Sequence, residues 1–316
     1  MNQKLLIVCA FLLFSALAFP TLSSAEGNNY GSADYLQTGF GSRAIGLGGA
    51  FVALADDATA AYWNPAGLSQ MRLYLYAANL EYAWLPRDMG ASFITYAIQW
   101  PVMGSFCISW INFNAGKQEG WDELGEPSGF EFSTAENTFL FSYGRELYEW
   151  MYGLSVGANL KILQQAIGNH SAVGYGLDVG LLWQPILYWE HVFGVNVQNL
   201  FQRLHWNTGA GTDRSLVTVR AGVALKFLRS EDLLFFNHLI FTGDMEYTED
   251  ERVIPHAGVE WWALTSLGAR AGYSSEGVTV GASYRPDYYQ LDYVFRYDIS
   301  KLSAHQHRVS VQMRFK

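Results

Sequence analysis

The chain has 316 residues, half of them hydrophobic and 16% aromatic, while only 16% are charged. Acidic residues outnumber Lys and Arg by 29 to 20, and this balance argues against nucleic acid as a partner. Two cysteines, Cys9 and Cys107, make neither a disulfide framework nor a cysteine metal site.

Residues 1–25 read as a signal peptide. Lys4 supplies the positive start, residues 5–17 form a short apolar core, and Ser23-Ser24-Ala25 ends in a small-x-small cleavage pattern. Cys9 lies inside that core, so Cys107 is the single cysteine of the mature chain. Beyond residue 25 no apolar run approaches the ~20 residues that a membrane helix needs.

Residues 26–71 form a separate N-terminal segment. Its heart, residues 41–70, is dense in Gly and Ala, a composition that suits close packing inside something else. Gly46, Gly48 and Gly49 permit close backbone approach. Asp56 or Asp57 is placed to cap a short helix through Ala58, Ala60 and Ala61. Pro65 is expected to end that helix near Trp63, because a residue before proline avoids the helical region. Asn64, Pro65 and Ala66 then make a turn.

Residues 72–316 carry about fourteen alternating segments. They fall near 72–82, 89–100, 102–114, 134–144, 150–164, 172–184, 190–200, 215–227, 234–247 and 254–262. Four clearer ones follow, the last of which sets Val309, Val311, Met313 and Phe315 against Arg308, Ser310, Gln312 and Arg314. A period of two sends each set to one side of a sheet. A soluble sandwich shows the same alternation with its apolar face inward. The number of segments, the Tyr and Trp near their ends, and the Gly, Ser and ions on the other face favour a transmembrane antiparallel β-barrel. Its lumen would then hold Lys161, Asp178, Arg220, Asp244, Glu260, Arg270, Arg285, Asp292 and Arg296. These ions serve either as a ladder of structural pairs or as a polar conduit and docking surface for the N-terminal segment. Phe93, Ile111, Phe113, Leu140 and Trp262 are apolar lumen residues. The polar stretches 115–133 and 201–214 read as the longest loops, on the face opposite the termini.

Residues 41–70 also resemble the N-terminal signature of the PorV/PorQ outer-membrane proteins and, more distantly, the FadL-type transporters. The similarity lies in Gly41, Arg43, Gly46, Gly48, Gly49, Asp56, Asp57, Trp63, Asn64, Pro65 and Ala66, and it returns in residues 256–285 and 291–295. The resemblance implies a bacterial outer-membrane location, with fourteen strands and the N-terminal segment acting as a hatch in the barrel. It implies a role in transport or as a protein-secretion accessory of the type IX kind, with secretion or cargo proteins as partners. The alternative is uptake of fatty acids or other hydrophobic small molecules.

No enzyme site is recognisable. There is no GxSxG elbow and no phosphate loop. His305 and His307 share a strand face but lack a third metal ligand. The sequence calls for no cofactor and no metal, and for outer-membrane lipid as surroundings.

Overall fold

The computed structural model describes residues 33–71, 74–100, 102–121, 127–185, 190–208, 211–228, 238–250, 252–299 and 305–316. The signal-peptide reading of residues 1–25 lies outside the described residues.

Fifteen strands follow the N-terminal segment. They are β1 (Tyr76–Trp84), β2 (Gly90–Trp100), β3 (Gly104–Trp121), β4 (Pro127–Glu146), β5 (Leu154–Ile167), β6 (His170–Trp183), β7 (Glu190–Trp206) and β8 (Thr212–Arg214). The series continues with β9 (Thr218–Leu228), β10 (His238–Thr248), β11 (Val253–Trp262), β12 (Leu267–Ser274), β13 (Gly277–Tyr284), β14 (Tyr289–Asp298) and β15 (His305–Phe315). β8 is a three-residue ribbon paired only with the outer end of β7. The other fourteen pair antiparallel with their neighbours, and β1 closes the ring on β15 with Tyr76 opposite Phe315. A closed ring leaves no strand edge unpaired, which lipid requires.

The alternation decides which face is which. On β1, Tyr76, Leu80, Tyr82 and Trp84 are exposed, whereas Ala77, Asn79, Glu81 and Ala83 are buried. On β14, Leu291, Tyr293 and Tyr297 are exposed while Gln290, Asp292 and Asp298 are buried. The apolar set therefore points outward and the ions inward, the reverse of a soluble sandwich and the arrangement of a transmembrane barrel. Trp84, Trp100, Trp150, Tyr273 and Tyr284 stand exposed at strand ends and turns, where interfacial rings sit.

Two expected loops are instead mostly strand. Much of 115–133 extends β3 and β4 to 18 and 20 residues, and much of 201–214 is the end of β7 and the β8 ribbon. About ten residues suffice to cross the bilayer. The surplus projects beyond the far end of the barrel as a ladder, whose hydrogen bonds continue from Lys117 opposite Ser133 to Trp121 opposite Pro127. Loop length therefore fails to separate the two ends, since residues 168–169 make a tight turn on the same side. Strand length separates them.

The core lies inside the ring. Residues 33–71 run through the lumen almost entirely buried. Wall glycines let this inner segment approach the strands. A Cβ on Gly157 would sit 2.3 Å from the Ala66 nitrogen, and, on the segment's own side, one on Gly48, at φ 69°, would sit 2.5 Å from the Tyr273 nitrogen. Gly157→Val is therefore expected to destabilise the folded barrel by about 1–3 kcal/mol, the usual cost of overpacking. Urea unfolding in detergent, compared with an exposed Val280→Ala control, checks this.

Candidate functional site

The inner segment has little regular structure, so its peptide groups must find partners elsewhere. Locally, it makes one-turn helices at Ser42–Gly46 and Ala60–Trp63, with a 3-10 turn at Pro65–Gln70. The Asp57 carboxylate accepts from the Thr59 nitrogen at 2.9 Å at the start of the second helix. That helix stops at Trp63, before Asn64 and Pro65. Asn64 accepts from the Ala66 nitrogen and opens the following turn.

Wall side chains satisfy much of the rest. The Asp244 carboxylate accepts from the nitrogens of Phe51 and Val52 at 2.7 and 2.8 Å. Asn159, Asn196 and Gln198 donate to the carbonyls of Ala61, Trp63 and Tyr62 at 2.6–2.8 Å. Arg308 donates to Gly39 and Thr38, Thr279 to Gly46, and the His256 ring contacts the Gly48 carbonyl oxygen at 2.7 Å. In the other direction, Asn64 donates to the Leu181 carbonyl at 3.0 Å.

At the centre of the ionic sector lies Arg43. Its guanidinium donates twice to Glu260, at 2.8 and 2.9 Å, and also engages Asp56 and Asp57. Glu260 accepts from Arg270, which reaches Asp292 at 2.8 Å. Lys226 joins at Asp56, 3.3 Å away. Burial alone would raise the Asp56 carboxyl, but Arg43 and then Lys226 outweigh it and hold it well below its ordinary value of 3.8. Its ion pairs therefore stabilise the docked segment fully above that value and fade as the pH falls below it. A second pair group, Arg220 with Glu246 at 2.9 Å, stacks its guanidinium 4.7 Å from the Trp63 ring.

The opposite sector is apolar. Phe93, Ile111, Phe113 and Leu140 are buried against the segment, with Phe40 and Tyr62 5.7 and 6.3 Å from Phe93 and Tyr35 5.7 Å from Phe113.

Two spaces remain. One, of about 450 Å³, lies under the segment at the end of the barrel where β15 finishes, between Met71, Tyr74, Trp262, Arg285 and Arg314. The other, only about 30 Å³, lies near the opposite end between Leu36, Tyr62, Lys161 and Asn199.

Beside the small space the wall is irregular. Between Val179 and Tyr175 on β6, the partner strand β7 runs from Val197 to Arg203, two residues more. The surplus is absorbed by Asn199 and Phe201 at φ 64° and 55°. Such angles are rare outside glycine, and for a bulky residue like Phe201 they mark strain. Buried polar groups hold this double bulge. Asp178 accepts from the Asn199 nitrogen at 2.9 Å and pairs with Lys161 at 2.8 Å, and Lys161 donates to the Asn199 side chain at 2.6 Å.

The structure thus separates the sequence-predicted lumen ions into groups. Arg43, Asp56, Asp57, Glu260, Arg270 and Asp292 form one network. Lys161 and Asp178 belong to the bulge, and Arg220 and Asp244 hold the segment directly. Arg285 sits at the end with the larger cavity. Arg296 stands toward the other rim, paired with Glu276 and Asp298 and apart from the segment. Sequence reasoning missed Glu81, which accepts from Ser42 and Arg308. Its place in step with Asn79 and Ala83, opposite four large apolar residues, was the available signal.

These features define a transmembrane barrel occluded by its own N-terminal segment. No known family model and no curated protein matches the sequence. Solved structures do. The mutant of the TodX monoaromatic hydrocarbon channel called deltaS2 aligns at TM-score 0.61 and 12% identity, over 88% of this chain and 99% of that one. The CymD monoaromatic hydrocarbon channel aligns at 0.60 and 14%, over 88% and 98%. A FadL homologue from Pseudomonas aeruginosa aligns at 0.53 and 10%, over 87% and 98%. At such identities the likeness is one of fold, and it covers the whole of those channels.

Arg43→Gln is expected to cost about 3 kcal/mol, the lower end of the range for breaking a buried pair, because Arg270 still faces Glu260. Chemical unfolding in detergent measures it. Acidification from pH 7 to 3 is expected to lower amide protection factors around Asp56 more than in β1 or β2, which exchange mass spectrometry corrected for the intrinsic rate at each pH reads.

Proposed function

We propose that this chain is a bacterial outer-membrane channel for small hydrophobic molecules, and that the inner segment is its hatch. The proposal rests on one observation above the others. The lumen is closed to water-filled passage by a segment that presents Tyr35, Phe40 and Tyr62 to an apolar wall sector, and Tyr62 also lines the small space beside the strained interruption of the β6–β7 ladder. An apolar solute gains little from a polar bore, since each buried CH₂ is worth about 0.8 kcal/mol. It gains from an apolar sector that Tyr62 connects to an irregular stretch of the wall. The structural neighbours named as hydrocarbon channels and as a FadL homologue support the same reading. With the termini on the periplasmic side, the β3–β4 ladder stands outside the cell. The small space beside the bulge is too narrow for an aromatic ring, so passage requires residues 33–38 to move.

The secretion-accessory reading implied by the PorV/PorQ resemblance stands second. The projecting β3–β4 ladder offers it a platform. The filled lumen and the channel neighbours favour the uptake reading.

Proteoliposomes containing the protein are expected to admit toluene faster than empty vesicles while passing no steady ion current. Deleting Asn199 and Phe201 together, which makes β7 regular, is expected to reduce toluene entry about tenfold with the barrel still folded. An open-pore conductance, or unchanged entry after the deletion, would contradict the proposal.

A further inference from the structure

We infer that the larger cavity, at the end of the barrel where β15 finishes, is a binding site for small organic carboxylates with a flat apolar body. At about 450 Å³ it falls within the usual range for small-molecule pockets, about 300–1,000 Å³. Its walls divide by chemistry. Tyr74, Trp262 and Met71 supply apolar and aromatic surface, while Arg285 and Arg314 supply two guanidinium groups.

Most other charges of the cavity are already committed. Arg43 and Lys226 are paired with Asp56, and Glu260 is held between Arg43 and Arg270. Glu190 stands exposed at the start of β7, opposite Lys226 on β9. Arg285 and Arg314 differ from these. Among the described residues neither has a carboxylate within 4 Å. Arg285 lies 3.9 Å from the centre of the Trp262 ring and donates to the Thr265 carbonyl. Arg314 lies 5.7 Å from the Tyr74 ring and donates to Gln312 at 2.9 Å.

Neither arginine is an outward interfacial anchor. Arg314 is in phase with the buried Ser310 and Gln312, and exposed Phe315 and Tyr284 take the outward positions beside them. Stacked on the indole, Arg285 gives its Nε and Nη2 to the Thr265 carbonyl and keeps its Nη1 side for a planar anion, and a carboxylate is the anion that matches paired guanidinium donors. The rings beneath would hold the apolar body. A neutral hydrocarbon gains nothing from the arginines, so this site goes beyond the uptake reading and stands or falls independently of it.

The test is calorimetric binding of benzoate and of benzamide, its neutral counterpart, to the full chain in detergent. Wild type is expected to bind benzoate at least tenfold more tightly. The Arg285→Gln, Arg314→Gln double variant should lose that margin and keep its benzamide affinity. Arg285→Lys with Arg314→Lys should keep part of it, and each single Gln variant serves where the double does not fold. Equal affinity for the two compounds, an undiminished margin in the Gln variants, or displacement of benzoate by equimolar inorganic phosphate would overturn the inference. A failure of toluene entry alongside intact benzoate binding would count against the channel alone.

Discussion

Peptide groups enclosed in a barrel cannot turn to bulk water, and a segment with only a few helical turns cannot satisfy them itself. Everything in the lumen follows from that constraint. Asp244 accepts two consecutive amides, and Asn159, Asn196 and Gln198 serve three consecutive carbonyls from Ala61 to Trp63. The wall is thus a hydrogen-bonding surface shaped to one path of the chain. Small residues on both partners let that path lie close to the strands. The outer face faces the opposite demand from lipid and carries rings and branched aliphatics.

Ionic contacts add direction to this scaffold. A buried pair is weak evidence for stability, since desolvation offsets much of the attraction. Its stronger effect is that only one docking satisfies every charge. Arg43 alone meets three carboxylates, and any displacement of its helix leaves them facing each other. The apolar sector against Tyr35, Phe40 and Tyr62 has no such requirement. The segment is therefore tied down by ions on the β9–β14 side, and on the β2–β4 side it is held by packing and neutral hydrogen bonds alone, from Tyr35 to Thr138 and from Cys107 to the Ala58 carbonyl. That asymmetry fits the proposed hatch, with the face free of ion pairs toward the proposed route.

Much of the architecture was legible in the sequence because period-two alternation survives even at low complexity. The last four strands were readable residue by residue, and Pro65 ended its helix where expected. The loops misled, since a strand that leaves the membrane becomes polar on both faces and resembles a loop, as β3 does after Asn114. The lumen ions were identifiable as inward-facing, but their grouping was not. Arg296 and Arg270 look alike on alternating strands, and only the stagger of the barrel puts one at the rim and the other beside Glu260. The double bulge at Asn199 and Phe201 left no clear signature, because a lone Asn tolerates positive φ without marking a bulge and Phe201 is a residue that positive φ disfavours.

The most direct test of the account is amide hydrogen exchange of the protein in lipid, with and without saturating toluene. The account predicts faster exchange in residues 33–38 when the hydrocarbon is present, while Phe51 and Val52, tied to Asp244, stay protected. Unchanged exchange throughout residues 33–71 would contradict it.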